Sequence, residues 1–256
     1  LTGWSQETFD RIVSSFREFA APLNFAEIRA IPLSAKNGDN VVLPGAAAAW
    51  YQGGPLLSYL EEVPVRSEER AAAFRLPVQW VNRPNSEFRG FSGLIASGSA
   101  APGDRVVVAP SGKSSTIARI FTADGDLPRA SEGQSVTIVL ADEVDASRGA
   151  VIATADAPLT VTDTLDVRLF WALETELTPG ASLWAKIGTV TTNAVVKSIR
   201  SRIDPETGKA APADKLGVND IGEVTLNLDS EVAVDPHTGN RDTGSLLLLH
   251  RETTGN

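Results

Sequence analysis

The chain has 256 residues, with 42% hydrophobic and 21% charged content and a formal net charge of −9. It is long enough for two globular domains, and no run of ~18 apolar residues offers a membrane span. The acidic balance excludes broad nucleic-acid binding, which needs clustered Lys and Arg, and the absence of cysteine excludes disulfides, thiolate metal sites and cysteine nucleophiles, in keeping with a cytoplasmic protein.

The N-terminal stretch "LTGWSQETFD" has no basic start and apolar core of a signal peptide. Leu1 is not an initiator and Met is absent, so the chain is expected to begin inside a longer protein. Over residues 5–20, Phe9, Ile12, Val13, Phe16 and Phe19 fall at helical spacing on one stripe, with Ser5 placed to cap the first turn. "FAEIRAIPLSA" (25–35) reads as a strand that Pro32 brings towards its end. A loop rich in Gly, Asn and Asp follows, and then a short helix over 54–63 with Pro55 near its start. Helix, strand, loop and helix make half of an α/β domain, whose parallel sheet needs further strands.

Near residue 64 the character changes. "VPVRSEERAAAF" (63–74) reads as a linker, and beyond it the chain shows short apolar runs divided by turn residues. "FRLPVQWV", "GFSGLIAS", "DRVVVA", "STIARIF", "QSVTIVL" and "RGAVIA" form one set of expected strands. After "ADAPLTVTD" (155–163) a second set follows in "TLDVRLFWA", "ASLWAKIG", "TTNAVVKSIRSRI", "IGEVTLNL" and "GSLLLLH". The two-residue period puts Val136, Ile138 and Leu140 on one face, and likewise Val224, Leu226 and Leu228. "DPETGKAAPADKLGVND" (204–220) is expected to be a surface loop. The fold class read from this pattern is mainly β: two consecutive β-barrels preceded by the C-terminal remnant of an α/β domain. The boundaries drawn are 1–66, 67–156 and 157–256.

The motifs "QWVNRPNSEFRG", "PSGK", "DGDL" and "DEVDASRG" carry a resemblance. Together with "LTPGASLWAKIGT", "LGVNDIGEVTLNLD" and "NRDTGSLLLLHR", the chain resembles the large, GTP-hydrolysing subunits of bacterial sulfate adenylyltransferases. These form a branch of the elongation factor Tu-like P-loop GTPases. "GWSQETFDRIV", "IPLSAKNGDNV" and "WYQGGPLLSYLEEV" look like the end of the GTPase domain, so the resemblance covers essentially the whole chain and makes the barrels translation-factor-like.

The resemblance implies a GTPase subunit that works with a small catalytic subunit as a heterodimer or larger assembly. Joining ATP and sulfate into adenosine 5′-phosphosulfate and pyrophosphate is then coupled to GTP hydrolysis. GTP and Mg²⁺ would be cofactors of the intact protein, and ATP of the partner. It further implies that Ser34, Ala35 and Lys36 form the guanine-binding loop, with the Ala35 N–H aimed at the guanine carbonyl oxygen and repelled by the amino group of adenine. Asn37 departs from the branch's pattern and bears on Lys36 rather than on the Ala35 backbone. The phosphate loop, the Mg²⁺-binding Asp and the Asn-Lys-x-Asp motif are not found, and the last is expected just before Leu1. No catalytic or metal-binding residue is therefore assigned within these 256 residues. The alternative is an elongation factor that binds aminoacyl-tRNA.

Other patterns read as structure. Gly112-Lys113-Ser114 lacks the earlier Gly of a phosphate loop, since residue 107 is Val107, and is expected to be a hairpin turn. Asp142, Glu143 and Asp145 miss calcium-loop spacing, and Arg148 is expected to balance them. His237 and His250 form no metal constellation. Trp50, Trp80, Trp171 and Trp184 are expected to pack in cores or between domains.

Overall fold

A computed structural model of the chain describes residues 3–23, 25, 27–63, 72–85 and 88–250. The chain divides into two compact units, Leu1–Glu68 and Glu69–Asn256. Most of the expected linker over 63–74 lies outside the described residues. Among those described, no helix is long and apolar enough to cross a membrane.

In the first unit, α1 spans Gln6–Ala20, and the Ser5 side chain accepts a hydrogen bond from Thr8 N at 3.2 Å. The cap meets one of the donors that a helix start leaves free, and Glu7 complements the positive end. The second helix, α2, spans Leu56–Glu62 after Pro55. Phe9 of α1 packs against Trp50 and Tyr51 with ring centroids 5.2 and 6.2 Å away. The Trp50 indole donates to Trp4 O at 2.9 Å, which closes this small aromatic group. Ile12, Phe16 and Phe19, on the remainder of the apolar stripe, are exposed. The strand expected over 25–33 does not form a ladder. Among the described residues of that segment none pairs with a neighbouring strand, and a strand exists only where another backbone accepts and donates beside it.

The second unit begins with a closed eight-stranded sheet. Its strands are β1 (Arg75–Pro77), β2 (Trp80–Asn82), β3 (Gly90–Leu94), β5 (Arg105–Ala109), β6 (Lys113–Thr122), β7 (Gly125–Asp126), β9 (Ser135–Leu140) and β10 (Val151–Thr154). A small pair, β4 (Ser99–Ala100) and β8 (Ala130–Ser131), lies beside it. The order is β1-β10-β5-β6-β9-β3-β2, and the run from β1 into β2 joins the two ends. Val78 N donates to Ala150 O on one side, and Gln79 N donates to Ser92 O on the other. Phe91, Ile95, Ile117, Ile120, Ile138 and Ile152 fill the interior, each burial contributing ~1.5–3 kcal/mol. Val136, Ile138 and Leu140 do share the buried face.

The six-stranded sheet comprises β11 (Thr160–Phe170), β12 (Ser182–Ile187), β13 (Val190–Ile203), β14 (Ala210–Pro212), β15 (Ile221–Val234) and β16 (Leu246–Leu249). Two register shifts in the β13–β15 ladder, at Val196/Ser198 and Ile199/Ser201, bend these long strands. Val224, Leu226 and Leu228 face inwards, as their alternation requires. The order is β11-β15-β13-β12-β16, so β11 and β16 are edges, and a cleft of about 630 Å³ lies between them. The expected surface loop over 204–220 is more structured than its polarity suggests. Ala210–Pro212 pairs with β13, and Leu216 is fully buried in a two-way backbone pairing with Leu177. Leu216 is the reason: a lone large apolar side chain in a polar run gains most by reaching the core.

One ion pair joins the two sheets. Arg75 in β1 donates from Nε and Nη2 to the two carboxylate oxygens of Asp235, just beyond β15, at 2.9 and 3.0 Å. The side chains are only 6% and 14% exposed. Thr243 donates to Asp235 at 2.7 Å, Arg75 Nη1 donates to Phe74 O at 3.1 Å, and Asn240 donates to Ser97 at 2.9 Å. Thr189 donates to Val78 O at 3.0 Å, and a Cβ on Gly149 would stand 2.9 Å from Val190, so glycine permits the close approach there. Apolar contact between Ala109, Val151, Ala153, Leu159 and Ala233 completes the junction.

Burial alone would raise the Asp235 carboxyl; the hydrogen bonds from Arg75 and Thr243, and the Arg75 charge, nevertheless hold it below the usual aspartate value. A depressed carboxylate stabilises the fold above its ordinary titration range and loses that contribution as pH falls through the lower folded value. Asp235→Ala strands a buried guanidinium and is expected to lower stability by about 3–5 kcal/mol. Substituting both partners by Met and Leu is expected to recover most of it, and acid is expected to weaken wild type more than the double variant. Urea unfolding at neutral and acid pH measures both; equal stability of Asp235→Ala and wild type contradicts the assignment. The exposed stripe of α1 leads to a second expectation: amides of Gln6–Ala20 exchange far faster than those of β9 and β15. Uniformly slow hydrogen exchange across the first unit contradicts it.

Candidate functional site

Residues 31–45 form a loop held by inward polar bonds. Ser34 N donates to Asp39 O at 3.0 Å, Gly38 N donates to Ser34 O at 2.8 Å, and the Ser34 hydroxyl accepts from Asn37 N at 3.3 Å. Gly38 has φ +82, a left-handed conformation that closes the turn without side-chain strain. Asn40, only 3% exposed, is the centre of the loop. Its Nδ2 donates to Pro32 O at 2.7 Å and its Oδ1 accepts from Gly45 N at 2.7 Å. Its own φ is +54, which Asn tolerates better than most residues. The carbonyls of Asn40 and Val41 each accept at 2.9 Å from Leu56 N and Leu57 N, so the loop caps the start of α2.

Ala35 and Lys36 occupy the turn's outer side and are exposed. Among the described residues, neither backbone N–H has an acceptor within hydrogen-bonding distance. The fold thus satisfies the amides of Ser34, Asn37 and Gly38 internally and leaves those of Ala35 and Lys36 without a hydrogen bond among the described residues. Chemically, two adjacent exposed N–H groups on a tight, small-residue turn can donate to a carbonyl oxygen that comes close to the backbone. Reading the sequence missed Asn40; the signal for it was the "NGDN" run, where Asn and Gly are the residues that accept positive φ.

The remaining candidates fall as follows. Gly112-Lys113-Ser114 turns β5 into β6, as a hairpin with no helix behind it. Arg148 does not balance the acids at 142–145: it donates to Gln79 O at 2.9 Å. Arg89 approaches Asp145 at 3.8 Å instead, and the Ser115 hydroxyl donates to Asp142 at 2.8 Å. Among the described residues, no group of three His, Cys, Asp or Glu side chains could hold a metal ion. His237 Nδ1 lies 3.2 Å from the Ser245 hydroxyl on the surface, and His250 is exposed. Trp171 is buried and donates to Thr175 O at 2.7 Å, whereas Trp80 is 68% exposed and not core packing. In the short strand β2 it is Val81 that packs against the core, while Trp80 and Asn82 are exposed.

Two barrel-type sheets of this connectivity, after a helix–loop–helix unit, define a mainly β chain of the translation-factor-like class. The GTP-eEF1A C-terminal domain-like family model matches residues 164–255. A crystal structure of sup35 complexed with GMPPNP superposes with a TM-score of 0.66 at 20% identity, covering 97% of this chain and 63% of that one, a likeness of fold. Sequence is more specific. Sulfate adenylyltransferase subunit 1 of Methylorubrum populi is 80% identical over 254 residues, 99% of this chain and 54% of that protein. Its namesake in Aeromonas salmonicida is 46% identical over 253 residues, with the same shares. The chain spans about half the length of the curated relatives it matches, and its resemblance to the sulfate-activating branch holds along its own length.

Removing the Asn40 side chain leaves the Gly45 N–H and the Pro32 carbonyl unmet and forces another residue into positive φ. Asn40→Ala is therefore expected to destabilise the loop by about 2 kcal/mol. Hydrogen exchange at Gly45 and Leu56 is the readout, and unchanged protection at both amides refutes the central role of Asn40.

Proposed function

We propose that the chain is part of the GTPase subunit of a sulfate adenylyltransferase. Residues 1–66 supply the end of its nucleotide domain, and 67–156 and 157–256 supply two barrel domains. The observation that carries the reading is 80% identity to a subunit 1 relative across 99% of these residues. The intact enzyme, a nucleotidyltransferase, joins ATP and sulfate into adenosine 5′-phosphosulfate and pyrophosphate. That mixed anhydride is high in energy, and GTP hydrolysis draws its formation forward. The name subunit 1 on the relatives supports a partner subunit, which in this reading is the small catalytic one, in the cytoplasm.

The Ser34-Ala35-Lys36 turn is the guanine contact in this reading. The Ala35 amide, on an exposed residue and without a hydrogen bond among the described residues, supports it, since a fixed donor pairs with the keto oxygen of guanine and opposes the amino group of adenine. GMPPNP in the sup35 structure supports GTP as the ligand of the intact protein. Among the described residues, no group of three His, Cys, Asp or Glu side chains is gathered for magnesium. Its ligands, and the phosphate contacts, belong to other parts of the nucleotide domain. The elongation-factor reading is less favoured: the likeness to translation factors is one of fold, while the closely similar sequences carry the sulfate adenylyltransferase name.

For this chain by itself, one amide contributes ~0.5–1.5 kcal/mol, whereas micromolar affinity needs about 8 kcal/mol. Titration of the chain with fluorescent GTP is expected to show no saturable micromolar binding, while the intact subunit saturates. Ala35→Pro in the intact subunit deletes the donor and is expected to weaken GTP by about tenfold or less, leaving ATP unaffected. Micromolar GTP binding by the chain, or an unchanged GTP preference in Ala35→Pro, overturns the assignment of the loop.

A further inference from the structure

Residues of β2 and of the segment 145–148 line a cleft of about 400 Å³ on the first barrel. Trp80, Val81, Arg83, Arg89, Asp145 and Arg148 are among its lining residues. Among the described lining residues, three arginines stand against one aspartate, a positive set on a chain whose net charge is −9. Two of the three are held in place: Arg148 Nη1 donates to Gln79 O at 2.9 Å, and Arg89 Nη1 donates to Val144 O at 3.0 Å. Each keeps most of its five N–H donors for other acceptors, in a guanidinium whose position is already set. Asp145, 91% exposed and 3.8 Å from Arg89, does not neutralise the group.

An exposed indole beside ordered arginines is the composition of an interface hot spot, where Trp and Arg dominate binding. We propose that this cleft docks an acidic segment of a protein partner, with Trp80 covered at its centre and Arg83, Arg89 and Arg148 receiving carboxylates. The proposal rests on the reading above, in which that partner is the small catalytic subunit. Size selects a protein over nucleic acid. A polyanion gains affinity from many phosphate contacts spread along a basic track, and the described lining of this cleft offers three guanidiniums. A short segment bearing two or three carboxylates matches it. Pre-set guanidiniums lose little freedom on binding, which favours a specific complex over a diffuse one.

The test measures binding of the intact subunit to the purified small catalytic subunit by biolayer interferometry. Trp80→Ala and the double variant Arg83→Glu/Arg148→Glu are each expected to weaken the complex at least tenfold, and Trp80→Phe less than Trp80→Ala. Arg119→Ala, which removes a different exposed arginine paired with Asp126, is expected to bind as wild type does. Trp80 and both arginines are exposed, so matching urea midpoints are expected for all variants. Wild-type affinity in Trp80→Ala overturns the cleft and leaves the subunit assignment standing. Failure of the wild-type pair to associate overturns the subunit assignment, and the cleft with it. Displacement of the partner by transfer RNA, with RNA binding lost in Trp80→Ala, overturns the choice of a protein ligand.

Discussion

A guanidinium cannot stay unpaired where two sheets bury it between them, and the second unit is arranged around that constraint. Arg75 stands between the core residues Phe74 and Leu76, so alternation turns it to the opposite face, where its charge is met by Asp235, 160 positions further along the chain. Fork-to-carboxylate geometry with two short bonds fixes orientation as well as distance. Because the partners belong to different sheets, neither can turn against the other without exposing a desolvated charge. Thr243 holds Asp235 from behind, Asn240 reaches Ser97, and the turn at Thr189 meets Val78. The pair adds little net stability over an apolar junction, since burying charge offsets much of its attraction. What it adds is uniqueness: few alternative dockings would satisfy both ions.

The first unit follows a different logic. It buries few large apolar side chains and is organised by polar atoms, with Asn40 donating and accepting at the centre of its loop. A loop built in this way can be small, tight and close to the surface, whereas a hydrophobic core would have to cover it. The same economy explains why two amides are left without a hydrogen bond among the described residues. Ser34 and Asn40 use their side chains on neighbouring backbone groups, and Ala35 has no polar side chain with which to cover its own.

Alternation made most strands legible before any coordinates: the buried triplets at 136–140 and 224–228 need only the two-residue period. The α1 cap and stripe were legible for the same reason, since both are set within a few residues. What failed was long-range. A strand at 25–33 required a neighbour that local pattern cannot supply, and the burial of Leu216 depended on Leu177 across the sheet. Arg75 carried a readable hint, a charge inside the apolar run "FRLPV", but the identity of its partner did not follow from sequence. Trp80 failed in the opposite sense: aromatic character suggested packing, yet in β2 it is the neighbouring Val81 that meets the core, which turns Trp80 outward. At the nucleotide loop, resemblance supplied the role of Ala35, while the device that shapes the turn was one residue type, Asn, in a conformation that sequence only permits.

Among the described residues, no buried side-chain nitrogen or oxygen lacks a hydrogen-bond partner. Interior chemistry is therefore accounted for, and the groups with spare capacity are all at the surface. Folding does not require an indole at position 80: a threonine or valine would suit an edge strand as well, and would leave less apolar area in water. Nor does it require arginines held by carbonyls in the same cleft as that indole, when unheld lysines would keep the chain as soluble. Each choice places binding capacity at a rigid spot on a barrel that the Arg75–Asp235 pair already fixes relative to its neighbour. A partner seated there would be tied to both sheets at once, so any displacement of the barrels would be carried to it as a rigid-body motion rather than lost in the joint between them.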